Sequence, residues 1–167
     1  IDMAEYPYVS CNFHNEADGA CGENVLNSYE LLSAGEENIA ISIFAAKVFA
    51  DYVKEQTSKE HPVVIVGMDA RPTGPAVAEA AIKSFIKNGI KVKFTGITAA
   101  PEIMAYSKNA DGFMYISASH NPVGHNGIKF GLNAGGVLNG TENAKLTEKF
   151  NALCAEEKAL QNAFETI

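Results

Sequence analysis

No run of apolar residues in this 167-residue chain approaches the roughly 18 needed to cross a bilayer, and no basic segment leads into an apolar one at its start. A membrane partner is not expected. Positive charge is also short: thirteen Lys and Arg stand against twenty Asp and Glu, a formal net charge of -7. That balance leaves no broad basic face for nucleic acid. The three cysteines, Cys11, Cys21 and Cys154, are odd in number and follow no framework spacing. We therefore expect reduced thiols in a cytoplasmic protein rather than disulfides. Cys11, His14 and Cys21 make a C-x2-H-x6-C arrangement that lacks the paired spacing and fourth ligand of a structural zinc site. An initiating Met is missing too. The chain opens Ile1-Asp2-Met3 and stops at Thr166-Ile167, and we expect it to be a piece of a longer protein.

A composition that is 47% hydrophobic and 20% charged is that of a globular chain with an ordered core, and its length suits one domain. Residues 10–38 mix Asn, Gly, Glu, Ser and Ala with few consecutive apolar positions. We read residues 1–38 as an N-terminal extension or irregular insertion, and 39–167 as the domain itself.

From Ile39 to about Tyr52, Ile39, Ile43, Ala46, Val48, Phe49 and Val53 recur near helical spacing, which predicts a helix with one buried face. Val63-Val64-Ile65-Val66-Gly67 is short, β-branched and continuously apolar, as a strand covered on both faces must be. Thr73 can cap a following helix that tolerates Pro75 in its first turn and ends at Asn88-Gly89. A second strand at Ile90–Phe94, a helix from Pro101 through Tyr106, and a third strand at Phe113–Ile116 repeat the alternation. Ile128-Lys129-Phe130 follows too closely for a helical crossover, so it returns antiparallel. A last helix, capped by Thr141, carries Leu146, Phe150 and Leu153. The expected fold is three-layer α/β/α, with a mixed four-stranded sheet whose last strand is antiparallel.

Functional groups in such sheets collect beyond the carboxyl ends of the strands, and two polar clusters fall there. Gly67-Met68-Asp69-Ala70-Arg71-Pro72-Thr73-Gly74 places an acid and a guanidinium before a helix N-terminus, where an anion is favoured. Asp69 and Arg71 serve equally well as a pair that holds the loop together. In Ser117-Ala118-Ser119-His120-Asn121-Pro122 a hydroxyl, an imidazole and an amide are consecutive, and Pro122 restrains Asn121. Ser119 lacks the G-x-S-x-G elbow of a serine hydrolase, and in an extended segment His120 projects away from it. Lys129, ten residues on, can return its amine toward the hydroxyl as an acid/base or phosphate contact, although a lone Lys on a half-exposed strand is more often merely solvated.

Gly67-x-Asp69-x-Arg71-Pro72-Thr73-Gly74, Ala110-Asp111-Gly112, Ile116-Ser117-Ala118-Ser119-His120-Asn121-Pro122 and Asn126-Gly127-Ile128-Lys129-Phe130 resemble, in order and spacing, the first domain of the alpha-D-phosphohexomutase family. The resemblance covers roughly residues 39–140. It implies that Ser119 is phosphorylated and exchanges its phosphate with a hexose monophosphate, through a hexose 1,6-bisphosphate that serves as intermediate and activator. It further implies that His120 and Asn121 shape the phosphoserine loop, with Asn121, Arg71 and Asp69 toward phosphate, and that Lys129 is the general acid/base. Mg²⁺ would be bound through the phosphate on Ser119. The implied partners are hexose phosphates and the remaining domains of the same polypeptide.

The chain also departs from the family. It has no D-G-D-x-D-R metal loop, and neither the usual Gly-rich opening motif with its Arg nor the sugar-recognition and distal phosphate-binding loops are present. The segment alone is expected to be inactive. A phosphoglucosamine mutase fits the same motifs, and a phosphosugar-binding module that kept the fold without the activity is the reading from another class.

Overall fold

A computed structural model describes residues 36–165. Most of the expected irregular segment at 10–38, with Cys11, His14 and Cys21, lies outside the described residues. Helix α1 (Glu36–Thr57) begins three residues before its expected start and continues through the polar Glu55-Gln56-Thr57. It is buried around most of its circumference rather than on one face, with Ala40, Ala45, Ala46, Phe49, Ala50 and Val53 at 2% exposure or less. The small and apolar residues between its periodic positions explain this, because a helix apolar all round sits inside.

The sheet comprises β1 (Val63–Met68), β2 (Lys91–Ile97), β3 (Gly112–Ile116) and β4 (Ile128–Leu132). Their order is β2-β1-β3-β4, with β1 parallel to both neighbours and β4 antiparallel to β3. Helix α2 (Gly74–Lys87) packs with α1 on one face, and the short α3 (Ala100–Tyr106) covers the other. The expected three-layer architecture is therefore present. Its core lies mainly between α1, α2 and the sheet, where the Phe49 ring stacks on Phe130 at 4.4 Å and meets Phe85 edge-on at 6.3 Å. A smaller cluster of Ile65, Ile103, Phe113 and Tyr115 fills the α3 side.

Helices α4 (Gly140–Cys154) and α5 (Glu157–Phe164) pack against α1. Asn139 caps α4 by accepting the Glu142 N–H, so Thr141, the expected cap, is already inside the helix. The Tyr52 hydroxyl donates to Glu142 Oε2 at 2.9 Å and ties α1 to α4. Burial, then that hydrogen bond and the charges of Glu142 and Glu55, push the phenol up to about 12. Among the described residues no helix is long and apolar enough to cross a membrane.

At the end of the sheet away from the strand carboxyl termini, the buried Asp111 accepts from Lys59 Nζ at 2.7 Å and Val63 N–H at 2.8 Å. Burial works to raise its pKa, but the hydrogen bonds from Lys59 and Val63 and the Lys59 charge outweigh it and leave the carboxyl lowered. Folding thus favours the ionised form. Its contribution is whole above the unfolded value of about 3.9 and is lost as pH falls through the folded value. Asp111→Asn should destabilise the protein by about 1–3 kcal/mol at neutral pH and flatten the acid limb of its stability curve. Denaturant titrations from neutral to acid pH check this, and superimposable limbs would refute it.

Candidate active site

Chain pairing brings the two polar clusters together. Beyond β1, the Asp69 N–H still bonds Ile116 O at 2.9 Å, so the loop leaving β1 runs beside the one leaving β3. Beyond β3, Ser117 N–H bonds Gly127 O at 2.9 Å and closes the 117–127 loop at its base. A Cβ on Gly127 would stand 3.0 Å from Ser117 O, so a larger residue there would force the closure apart. Within the loop, Asn121 N–H turns back to Ala118 O and His125 N–H to Pro122 O.

Ser119 lies in the first of those turns with φ at 56°, the left-handed region that is strained for any residue with a Cβ. The segment is therefore not extended, which removes the geometric premise on which His120 was set apart from Ser119. His120 is exposed, and the partner of the serine hydroxyl is Lys129, whose Nζ donates to Ser119 Oγ. Register accounts for this contact. Lys129 is directly opposite Tyr115, so it shares the α3 face of the sheet. Ser119, Lys129, His120 and Asn121 line one open pocket of about 360 Å³ with Ser117 and Ala118.

Asp69 and Arg71 stand behind this pocket. Arg71 Nε donates to Asp69 Oδ2 at 3.0 Å, and Asp69 Oδ1 accepts the Arg71 N–H at 3.0 Å. The Arg71 Nη atoms reach carbonyls of the serine loop. The pair thus performs the loop-holding role that its sequence position allowed.

Two residues with no expected part in the site complete the arrangement. Thr73 and Asn126 are 1% and 0% exposed, and Asn126 Nδ2 donates to Thr73 Oγ1 at 2.8 Å while its Oδ1 accepts the Gly127 N–H at 2.8 Å. This corrects the expected role of Thr73, which has helical φ and ψ and makes no side-chain cap on α2. Its hydroxyl is taken by Asn126. The available signal was an amide beside Gly127 at the base of a turn, a position where a buried Asn must find partners.

The chain belongs to the phosphoglucomutase/phosphomannomutase family, of which residues 32–157 match the alpha/beta/alpha domain I. Among curated relatives, it is 38% identical over 101 residues to the phosphoglucosamine mutase of Streptococcus gordonii, covering 58% of this chain and 22% of that protein. It is 42% identical over 74 residues to the phosphoglucosamine mutase of Staphylococcus carnosus, covering 43% and 16%. A crystal structure assigned as a phosphomannomutase of Thermus thermophilus superposes with a TM-score of 0.59 at 26% identity, over 65% of this chain and 25% of that one. The chain therefore spans about a fifth of the length of the curated relatives it matches.

The Thr73–Asn126 bond is buried, so removing one partner leaves the other without compensation. Thr73→Val should cost about 1–3 kcal/mol in chemical denaturation. Thr73→Val combined with Asn126→Ala should cost less than the sum of the two single changes. Strict additivity would show the pair to be uncoupled.

Proposed function

We propose that the intact protein interconverts hexose 1-phosphate and hexose 6-phosphate, with Ser119 carrying the phosphoryl group and a hexose 1,6-bisphosphate as intermediate and activator. The observation that carries this reading is the Lys129 Nζ to Ser119 Oγ hydrogen bond in a pocket open to a ligand. In the forward step the bond from phosphorus to Ser119 Oγ breaks and a bond to a sugar hydroxyl oxygen forms, the hydroxyl proton passing to water in the open pocket. Lys129, as the ammonium, supplies the proton that the departing serine oxygen takes up. In the return step its amine accepts the proton of the Ser119 hydroxyl as that oxygen attacks the other phosphate of the bisphosphate. His120 and Asn121 edge the pocket where they can meet the transferring phosphate.

Among the described residues no three His, Cys, Asp or Glu side chains gather into a metal site, and Asp69 is occupied by Arg71. The donor set therefore suits Mg²⁺ only through phosphate oxygens on Ser119, with the remaining ligands from outside this chain. When bound, the ion supplies charge neutralisation at the phosphoryl group. The cysteine pattern supports a cytoplasmic setting, and Cys154 is a free thiol.

The names of the curated relatives favour a second reading of the sugar, an amino sugar phosphate. Turnover on the 1- and 6-phosphates of glucose, mannose and glucosamine separates the two, and a preference for glucosamine would replace the first.

Two substitutions in the intact protein test the chemistry. Ser119→Ala should abolish incorporation of labelled phosphate from the bisphosphate, together with turnover, and normal turnover would sink the assignment. Lys129→Ala should keep the phosphorylatable serine but lower kcat by about 10²- to 10⁴-fold, as loss of acid/base help does.

A further inference from the structure

Resting on the mutase reading, we propose that Arg71 is a positioning residue, one that fixes the Ser119 loop through the loop's backbone rather than through phosphate. A guanidinium has five N–H donors in a rigid planar fork. Nε is held by Asp69 Oδ2 at 3.0 Å. Nη1 donates to Pro122 O at 2.6 Å and His125 O at 3.2 Å, and Nη2 to Ser119 O at 2.9 Å and Asn121 O at 2.8 Å. Every donor is engaged, and the side chain is only 10% exposed. A phosphate contact would require it to release part of the loop.

What the fork holds is a strained residue. A non-glycine φ of 56° persists only where the surroundings over-determine it. Ser119 N–H donates to Ser117 Oγ at 3.1 Å on one side, and Arg71 holds Ser119 O on the other. The peptide groups flanking the serine are thereby pinned, and its Oγ is kept against Lys129. Asp69, bonded to both Nε and the main-chain N–H of Arg71, sets the orientation of the fork and balances its charge. A lysine keeps the charge but cannot span Asp69 and four carbonyls at once.

The test is Arg71→Lys in the intact protein, read by kinetics and by amide hydrogen exchange. The expected result is a kcat about 10²-fold lower, the scale set by misplacing a reacting group by about 1 Å, with KM changed by less than about threefold. The Asn121 and His125 amides, which close the loop's two turns, should exchange about ten- to a hundredfold faster, while those of Val64 and Val66 keep their protection. A raised KM with kcat retained would make Arg71 a phosphate ligand and overturn the proposal. Unchanged exchange at Asn121 and His125 would overturn it whatever the activity. Should Arg71→Lys fail to fold, Asp69→Asn carries the same exchange test, with faster loop exchange expected and unaltered exchange overturning. If the unmodified protein turns over no hexose phosphate, the mutase reading fails, while the exchange pattern still decides the role of Arg71.

Discussion

An irregular loop placed beyond the ends of strands has carbonyls that no ladder can satisfy, and this constraint governs the active end of the protein. Here a single guanidinium accepts the task, collecting four carbonyls between Ser119 and His125. Its position follows from the sheet: β1 and β3 are adjacent and parallel, so the loops that leave them emerge side by side. The acid at Asp69 is a consequence of the same arrangement, since a largely buried cation needs a partner. The stability of the sheet and the shape of the serine loop are thus coupled through a few residues directly after β1.

The two ends of the sheet use similar chemistry for different purposes. Asp111, beside Lys59, joins the segment that follows α1 to the starts of β1 and β3. Asp69, beside Arg71, holds backbone that carries the Ser119 hydroxyl. Both carboxylates accept main-chain N–H groups as well as a cation, so each is a hydrogen-bonded acid rather than a bare ion pair. The difference lies in what is bound, because only the second cation reaches across to the carbonyls of the Ser119 loop.

The features legible in the sequence were those set by pattern over several residues. A continuous β-branched run marked β1, a short apolar run marked β3, and the short interval between Ile116 and Ile128 required β4 to return antiparallel. The same return placed Lys129 within reach of Ser119. Features set by one side chain's choice among partners were not legible. Thr73 and Thr141 both precede or begin helices with the right chemistry for a cap, yet Thr73 is claimed by Asn126 and the cap of α4 is formed two residues before Thr141. The left-handed conformation of Ser119 has no sequence signal either, because serine carries no preference for it strong enough to read. The burial of α1 around most of its circumference was in view but misjudged: its alanines look neutral in a periodicity count, although they allow α2 and α4 to approach it closely.

Strain and openness at Ser119 bear on how the proposed transfer is divided between this domain and the rest of the polypeptide. Arg71, Asp69, Thr73 and Asn126 are internal to the domain and hold Ser119 before any ligand arrives, so the orientation of the proposed nucleophile is settled here. Exclusion of water is not, because the pocket of about 360 Å³ is open and Ser119 and His120 are exposed. A phosphoryl group left in such a pocket faces water as readily as a sugar hydroxyl. On the proposed reading, the cover and the further phosphate and metal contacts come from outside these residues. A domain that covers about a fifth of its relatives' length and leaves Ser119 exposed is consistent with that division.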